Sequence, residues 1–209
     1  MALLVRGAKI VNYWGIEDKD ILIENAIIVK VGKNIRDTVA KTIDAQGKFV
    51  FPGFIDMHTH LRVPGREDEE DIFTGIKSAV KGGFTTILCM PNTQPPIDNY
   101  EIASRIRKEA EKINMADVFP VGTISKKREG RELSEFGELK KAGCLAVSDD
   151  GDCVANASLM RRALEYAQLF NLLVISHCED KSLSKDGLVK ESWLSSVWGL
   201  PSIPEILRR

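Results

Sequence analysis

His58-Thr59-His60 is the first stretch of this chain whose residue types and spacing could do chemistry. If the tripeptide is extended, alternation puts both imidazoles on one side. Two nitrogen ligands on one side suit a divalent ion such as zinc. A strand can also present two structural or solvated histidines in this way. The chain has three histidines in all, however, and the third, His177, follows directly on the apolar run LLVIS (172–176). All three therefore fall at the ends of apolar runs, which favours a shared metal. Asp149 and Asp150 follow CLAVS (144–148) and precede Gly151. A turn leading into a helix N-cap accounts for one of them, and the other is free to act as a bridging carboxylate. Asp56 precedes the histidines, where orienting an imidazole competes with hydrogen bonding at the base of the strand.

Arg62 and Asn92 are the candidate ligand-binding residues. Arg62 lies two residues past His60 and on the same side if the chain stays extended, where its guanidinium could grip a carboxylate through two parallel hydrogen bonds. Asn92 sits in MPNTQPP (90–96), a loop with proline-restricted backbone, where its amide could read a carboxylate or cap the turn. The acidic run REDEED (66–71) leads into a helical pattern; the helix dipole alone explains it, and it is assigned no function.

These residues need strands and helices to position them. Apolar runs recur at FIDM (54–57), TTILCM (85–90), DVFPVG (117–122), CLAVS (144–148) and LLVIS (172–176), about 30 residues apart, the pitch of a strand, a loop and a helix. Between them EDIFTGIKSAVKGG, NYEIASRIRKEAEKI, ELSEFGELKKAG and SLMRRALEYAQLF carry helical spacing, and two end in glycine. This pattern predicts a parallel α/β sheet. No glycine-rich phosphate loop follows FIDM, which argues against a doubly wound nucleotide fold. Polar residues just past nearly every strand favour a (β/α)₈ barrel, where those positions share one mouth. Residues 1–52 read instead as a small β module of three strands, LLVRGAKIVN, DILIENAIIVKVG and KTIDAQGKFVF. The expected domains are thus 1–52 and 53–209, the second being about five of eight βα units.

Composition limits the partners. The 209 residues are 44% hydrophobic and 28% charged, with 29 Lys+Arg against 30 Asp+Glu. A net charge of −1 supplies no field to gather nucleic acid or anionic lipid, so a small molecule recognised at a local site is the default ligand. No apolar run approaches the roughly 18 residues of a spanning helix, and the start carries no leader pattern, so a cytoplasmic protein is expected. Cys89, Cys144, Cys153 and Cys178 form no C-x-x-C and are expected to be reduced and mostly in the core.

Taken together, PGFIDMHTHLRVPG (52–65), GGFTTILCMPNTQPPIDN (82–99), VGTISK (121–126), LKKAGCLAVSDDG (139–151) and ISHCED (175–180) resemble the dihydroorotases, cyclic amidohydrolases that interconvert carbamoyl aspartate and dihydroorotate in pyrimidine synthesis. The resemblance implies a TIM-like metal-dependent hydrolase barrel preceded by strands of a small β-sandwich domain that C-terminal strands complete. It implies one or two zinc ions, with His58 and His60 on one, Asp150 bridging to a second and His177 ligating that second. Arg62 and Asn92 match the positions that hold the substrate carboxylate. The implied partners are the small-molecule substrate, a second copy of the chain in a homodimer, and aspartate transcarbamoylase. Val63 departs from the acidic residue common in the family. The family's later histidine and its catalytic aspartate have no counterpart before Ile206-Leu207-Arg208-Arg209, so an N-terminal half, inactive alone, is expected. Two other readings stand beside this one. An allantoinase or dihydropyrimidinase type would act on substrates lacking the ring carboxylate, and a non-catalytic homologue would serve as a scaffold.

Overall fold

A computed structural model describes residues 2–37 and 40–204; Ile206–Arg209, where the resemblance breaks off, lie outside the described residues. The chain divides into two compact units, one up to Phe54 and one from Ile55.

The first unit is a five-stranded sheet of β1 (Ala2–Asn12), β2 (Gly15–Glu24), β3 (Ile27–Gly32), β4 (Lys41–Asp44) and β5 (Phe49–Val50). Its order is β3-β2-β1-β4, with β5 also on β1. The segment DILIENAIIVKVG, expected as one strand, is two. Asn25 and Ala26 take left-handed φ of 49° and 64° and turn β2 back on β3 as an antiparallel hairpin. The turn was hidden because Ala26 stands where glycine would normally announce it. KTIDAQGKFVF likewise splits into β4 and β5. A bulge between Val5 and Ala8 places Gly7 at φ 70°, and buried Asp20 accepts there from the Gly7 amide (2.8 Å) and from the Ile35 amide (2.9 Å). Leu4, Leu22 and Ile35 form the core beneath it.

The second unit runs β6 (Phe54–Thr59), α1 (Ile72–Lys81), β7 (Phe84–Cys89), α2 (Tyr100–Ile113), β8 (Asp117–Gly122), a 3₁₀ turn (Lys126–Arg128), α3 (Phe136–Lys141), β9 (Ala146–Val147), α4 (Ala157–Leu169) and β10 (Leu173–Val174). After these come α5 (Lys181–Ser184), β11 (Val189–Lys190), α6 (Trp193–Val197) and β12 (Ser202–Ile203). The main sheet has the order β10-β9-β8-β7-β6, with parallel pairs from β7 to β10. This sequential order decides between the two α/β architectures, because a doubly wound sheet reverses at a switch point whereas barrel strands follow one another round. The unit is a run of five βα units of a barrel.

Both faces of the sheet are apolar, as parallel strands covered on two sides require. Along β7, Ile87 and Cys89 pack toward the helices with Ile76, Ile106 and Phe136, while Leu88, and Met90 just past the strand, cluster with Val121 and Ala146. Asp71 caps α1 in a reciprocal pair with Thr74, Asn99 caps α2 and Asn156 caps α4, each satisfying amides that helix geometry leaves open. Two cysteines, not most, belong to the core: Cys89 and Cys144 are buried, Cys153 is half-buried and Cys178 exposed. No described helix is long and apolar enough to cross a membrane.

Candidate active site

The end of β6 and the loops after β6, β7, β9 and β10 bring the residues singled out from the sequence to the carboxyl ends of the strands. His58 and His60 lie at the end of β6, and Asp150 three residues past β9. One ligand atom from each of these three residues lies within 4.8 Å of the others. His58 Nε2 is 3.4 Å from Asp150 Oδ1, and His60 Nε2 is 3.7 Å from Asp150 Oδ2. Asp150 is 5% exposed, so water does not compete for its carboxylate as it would on a surface. The chemistry of this set, two imidazoles and a carboxylate, fits a divalent metal.

The ring of His60 is oriented from behind. Its Nδ1 is 3.0 Å from Asn92 Oδ1, and since an amide oxygen only accepts, the ring donates there through Nδ1–H. In the neutral ring of that tautomer the Nε2 lone pair lies on the side of Asp150, as metal binding requires. This pairing occupies the oxygen of Asn92 and leaves its NH₂ available as a donor. His177 approaches Asp150 from the β10 side, with Nδ1 3.8 Å from Oδ1, but falls outside the three-residue group. Its Nε2 lies 2.8 Å from Glu179 Oε2. Glu179 is held below the usual carboxylate range first by the Ser184 hydroxyl and then by His177. Asp56 accepts from the His58 amide at 3.0 Å.

Neither Asp149 nor Asp150 caps a helix; α4 begins later and is capped by Asn156. Asp149, 2% exposed, instead ties two loops together. Its Oδ1 accepts from the Ile124 and Ser125 amides at 2.8 and 3.0 Å and its Oδ2 from the Ser125 hydroxyl. Burial pushes its carboxyl up, against these hydrogen bonds. Sequence spacing could not separate the two neighbours, because both roles require a carboxylate in the same turn.

Arg62 departs from the extended backbone expected of it. β6 ends at Thr59 and Arg62 takes φ 59°, so strand alternation does not place its side chain. Loop packing does. Gly65, at φ 107°, lies so close to the next loop that an added Cβ would meet the Gln94 carbonyl oxygen at 2.4 Å, and the Gln94 amide donates to Pro64 O. Arg62 and Asn92 thereby line one cleft of about 480 Å³ with Arg66, Glu69 and Arg128. Glu69 belongs to the acidic run assigned no function, yet its carboxylate pairs with Arg62 Nε (3.1 Å) and with Arg66. Arg128 had no signal in the sequence. A larger groove in the first unit, about 1060 Å³, is lined by Arg6, Lys9, Asp18 and Asp20. Those charges are already engaged with one another or with backbone, so the cleft beside the histidines is the better site.

Comparison with known proteins adds what geometry alone cannot. The model of the dihydro-orotase-like family matches residues 47–207. The chain belongs to that family. Among curated dihydroorotases, that of Trichlorobacter lovleyi is 48% identical over 209 residues, covering 99% of this chain and 49% of the relative. That of Geobacter metallireducens is 48% identical over 207 residues, covering 98% and 49%. This family member thus spans about half the length of the curated relatives it matches. Its fold is shared with the L-hydantoinase (dihydropyrimidinase) of Arthrobacter aurescens (TM-score 0.71, 24% identity, 87% of this chain and 41% of that one). It is shared also with the D-hydantoinase of a Thermus species (TM-score 0.64, 27% identity, 87% and 41%).

Proposed function

We propose that this chain provides the metal-binding and carboxylate-binding part of a zinc-dependent dihydroorotase, which reversibly hydrolyses the cyclic amide of dihydroorotate to N-carbamoyl-L-aspartate in pyrimidine synthesis. The observation that carries the reading is the meeting of His58, His60 and Asp150 beside a cleft lined by Arg62 and Asn92. Zinc bound there would supply Lewis acidity and a water of lowered pKa. His58 and His60 would hold it, with the Asp150 carboxylate and the His177 imidazole available to a second ion. Arg62 and the free NH₂ of Asn92 hold the substrate carboxylate, which orients the ring toward the metal. Glu69 must release Arg62 for this, an exchange of one carboxylate for another. The proton carrier to the leaving nitrogen is assigned to no residue here.

Hydantoinases share the fold, but their reading gives Arg62 and Asn92 no carboxylate to bind, whereas the 43–48% identical curated relatives are dihydroorotases. Residues 1–52 form part of a small β-sandwich domain and 53–209 the first part of the barrel. A homodimer and docking to aspartate transcarbamoylase remain parts of this proposal that the family resemblance supports. Four unpaired thiols accord with the reducing cytoplasm. The test is turnover by this chain fused to the second half of the Trichlorobacter lovleyi relative. Hydrolysis of dihydroorotate, with none of hydantoin or allantoin, is expected; the reverse preference would sink the assignment.

A further inference from the structure

We infer that Arg128 is a positioning residue for Asp150, setting metal affinity by locking the turn that carries this carboxylate. The inference rests on the reading of His58, His60 and Asp150 as metal ligands. Arg128 stands in the loop after β8, with its side chain 19% exposed. Its Nη2 donates to the main-chain carbonyl of Asp150 at 2.7 Å and to the Asp152 carboxylate. Lys181, at the start of α5, binds the other oxygen of Asp152. The turn from Asp150 to Asp152 is thus held from both sides, by cations belonging to the preceding and following βα loops.

Three features set Arg128 apart from a solvated surface arginine. Lys127 and Arg128 both take left-handed backbone, φ 54° and 61°, sparsely populated by such residues and held only where surroundings demand it. Its Nε is the one buried side-chain nitrogen or oxygen among the described residues with no hydrogen-bond partner, a cost that native proteins seldom carry without a return. And the guanidinium lies in van der Waals reach of the turn: a Cβ added to Gly151 (φ 76°) would sit 3.4 Å from Arg128 Nη2 and 3.9 Å from Asn92 Nδ2.

The bond to the Asp150 carbonyl fixes the peptide plane that follows Asp150 and hence the direction of its carboxylate toward His58, His60 and His177, now 3.4, 3.7 and 3.8 Å away. A turn free to swing would move that carboxylate off the imidazoles. Groups acting behind metal ligands in this way typically account for about 10- to 100-fold in affinity.

The experiment measures zinc affinity of the whole 209-residue chain by competition with a chromogenic chelator, alongside the melting temperature of the metal-free chain. Arg128→Met should bind zinc about 10- to 100-fold more weakly with a metal-free melting temperature within roughly 3 °C of the parent. Arg128→Lys should recover part of the loss, since one point charge replaces part of a planar fork. Unchanged affinity in Arg128→Met, or a lowered melting temperature with unchanged affinity in the folded fraction, overturns the proposal while leaving the metal ligands standing. Absence of stoichiometric zinc in the parent chain overturns the metal reading itself. If Arg128→Met fails to fold, Arg128→Lys and Asp152→Asn carry the test: a loss of about threefold or more in either supports the clamp, and parental affinity in both overturns it.

Discussion

The two nitrogens of His60 have different partners, and that difference gives the site its direction: Nδ1–H is spent on Asn92, leaving Nε2 to face Asp150. Replacing His58 and His60 together by alanine should abolish stoichiometric zinc, measured by elemental analysis of the purified chain; a double variant with unchanged zinc would place the metal elsewhere. Arg62 belongs to the same scale. In the fusion with the relative's second half, Arg62→Lys should raise KM about 10-fold or more with little change in kcat, because the lost charge-assisted hydrogen bond is worth about 1.5–3 kcal/mol. A change under about twofold, near 0.4 kcal/mol, would put Arg62 outside the site. Burial pushes the thiol of Cys89 up to about 12 and that of Cys144 upward too, whereas Cys178 is exposed. Alkylation at pH 8 followed by mass spectrometry should label Cys178 first and Cys89 and Cys144 only on unfolding, since the thiolate is the reactive form. A thiol raised in the folded state favours the protonated form, so its stabilising contribution is complete below the unfolded thiol value of about 8.5 and is lost as pH rises through the folded value.

At the scale of elements, strands supply the histidines, but packing between loops assembles the rest. Gly65 is the tightest of these approaches. Gly65→Ala would drive a Cβ into the Gln94 carbonyl and force an L-residue to φ 107°, so it should destabilise the chain by more than about 1 kcal/mol. In the fusion it should also raise KM by separating Arg62 from Asn92. Denaturant titration and steady-state kinetics on one preparation check both effects. A variant as stable as the parent would show that the two loops can part without cost.

For the molecule as a whole, exposed apolar surface is the feature with consequences in solution. Ile27, Ile28, Val29 and Val31 on β3, with Trp193 and Trp198 on and after α6, are each about half exposed or more, and β3 and β10 are sheet edges. Open edges with apolar faces pair with other chains. Sedimentation velocity should therefore show concentration-dependent self-association of the 209-residue chain, and a monodisperse monomer across the micromolar range would count against it.

How much of this was legible in the chain depends on the range of the interaction. The βα rhythm, the two histidines on one strand end and the third histidine on another follow from periodicity and neighbours in sequence, because alternation along a strand is a local property of the backbone. The hairpin at Asn25-Ala26 escaped because its residues carry only part of the local turn signal. Several assignments could come only from the tertiary structure: which of Asp149 and Asp150 faces the imidazoles, the left-handed Arg62 reaching Asn92 through loop packing, the pairing of Glu69 with Arg62, and Arg128 on the Asp150 turn. All but the Glu69 pairing, which lies within one long loop, depend on the meeting of loops one βα unit or more apart in the chain, and no residue in those loops carries a local preference that would reveal its partner.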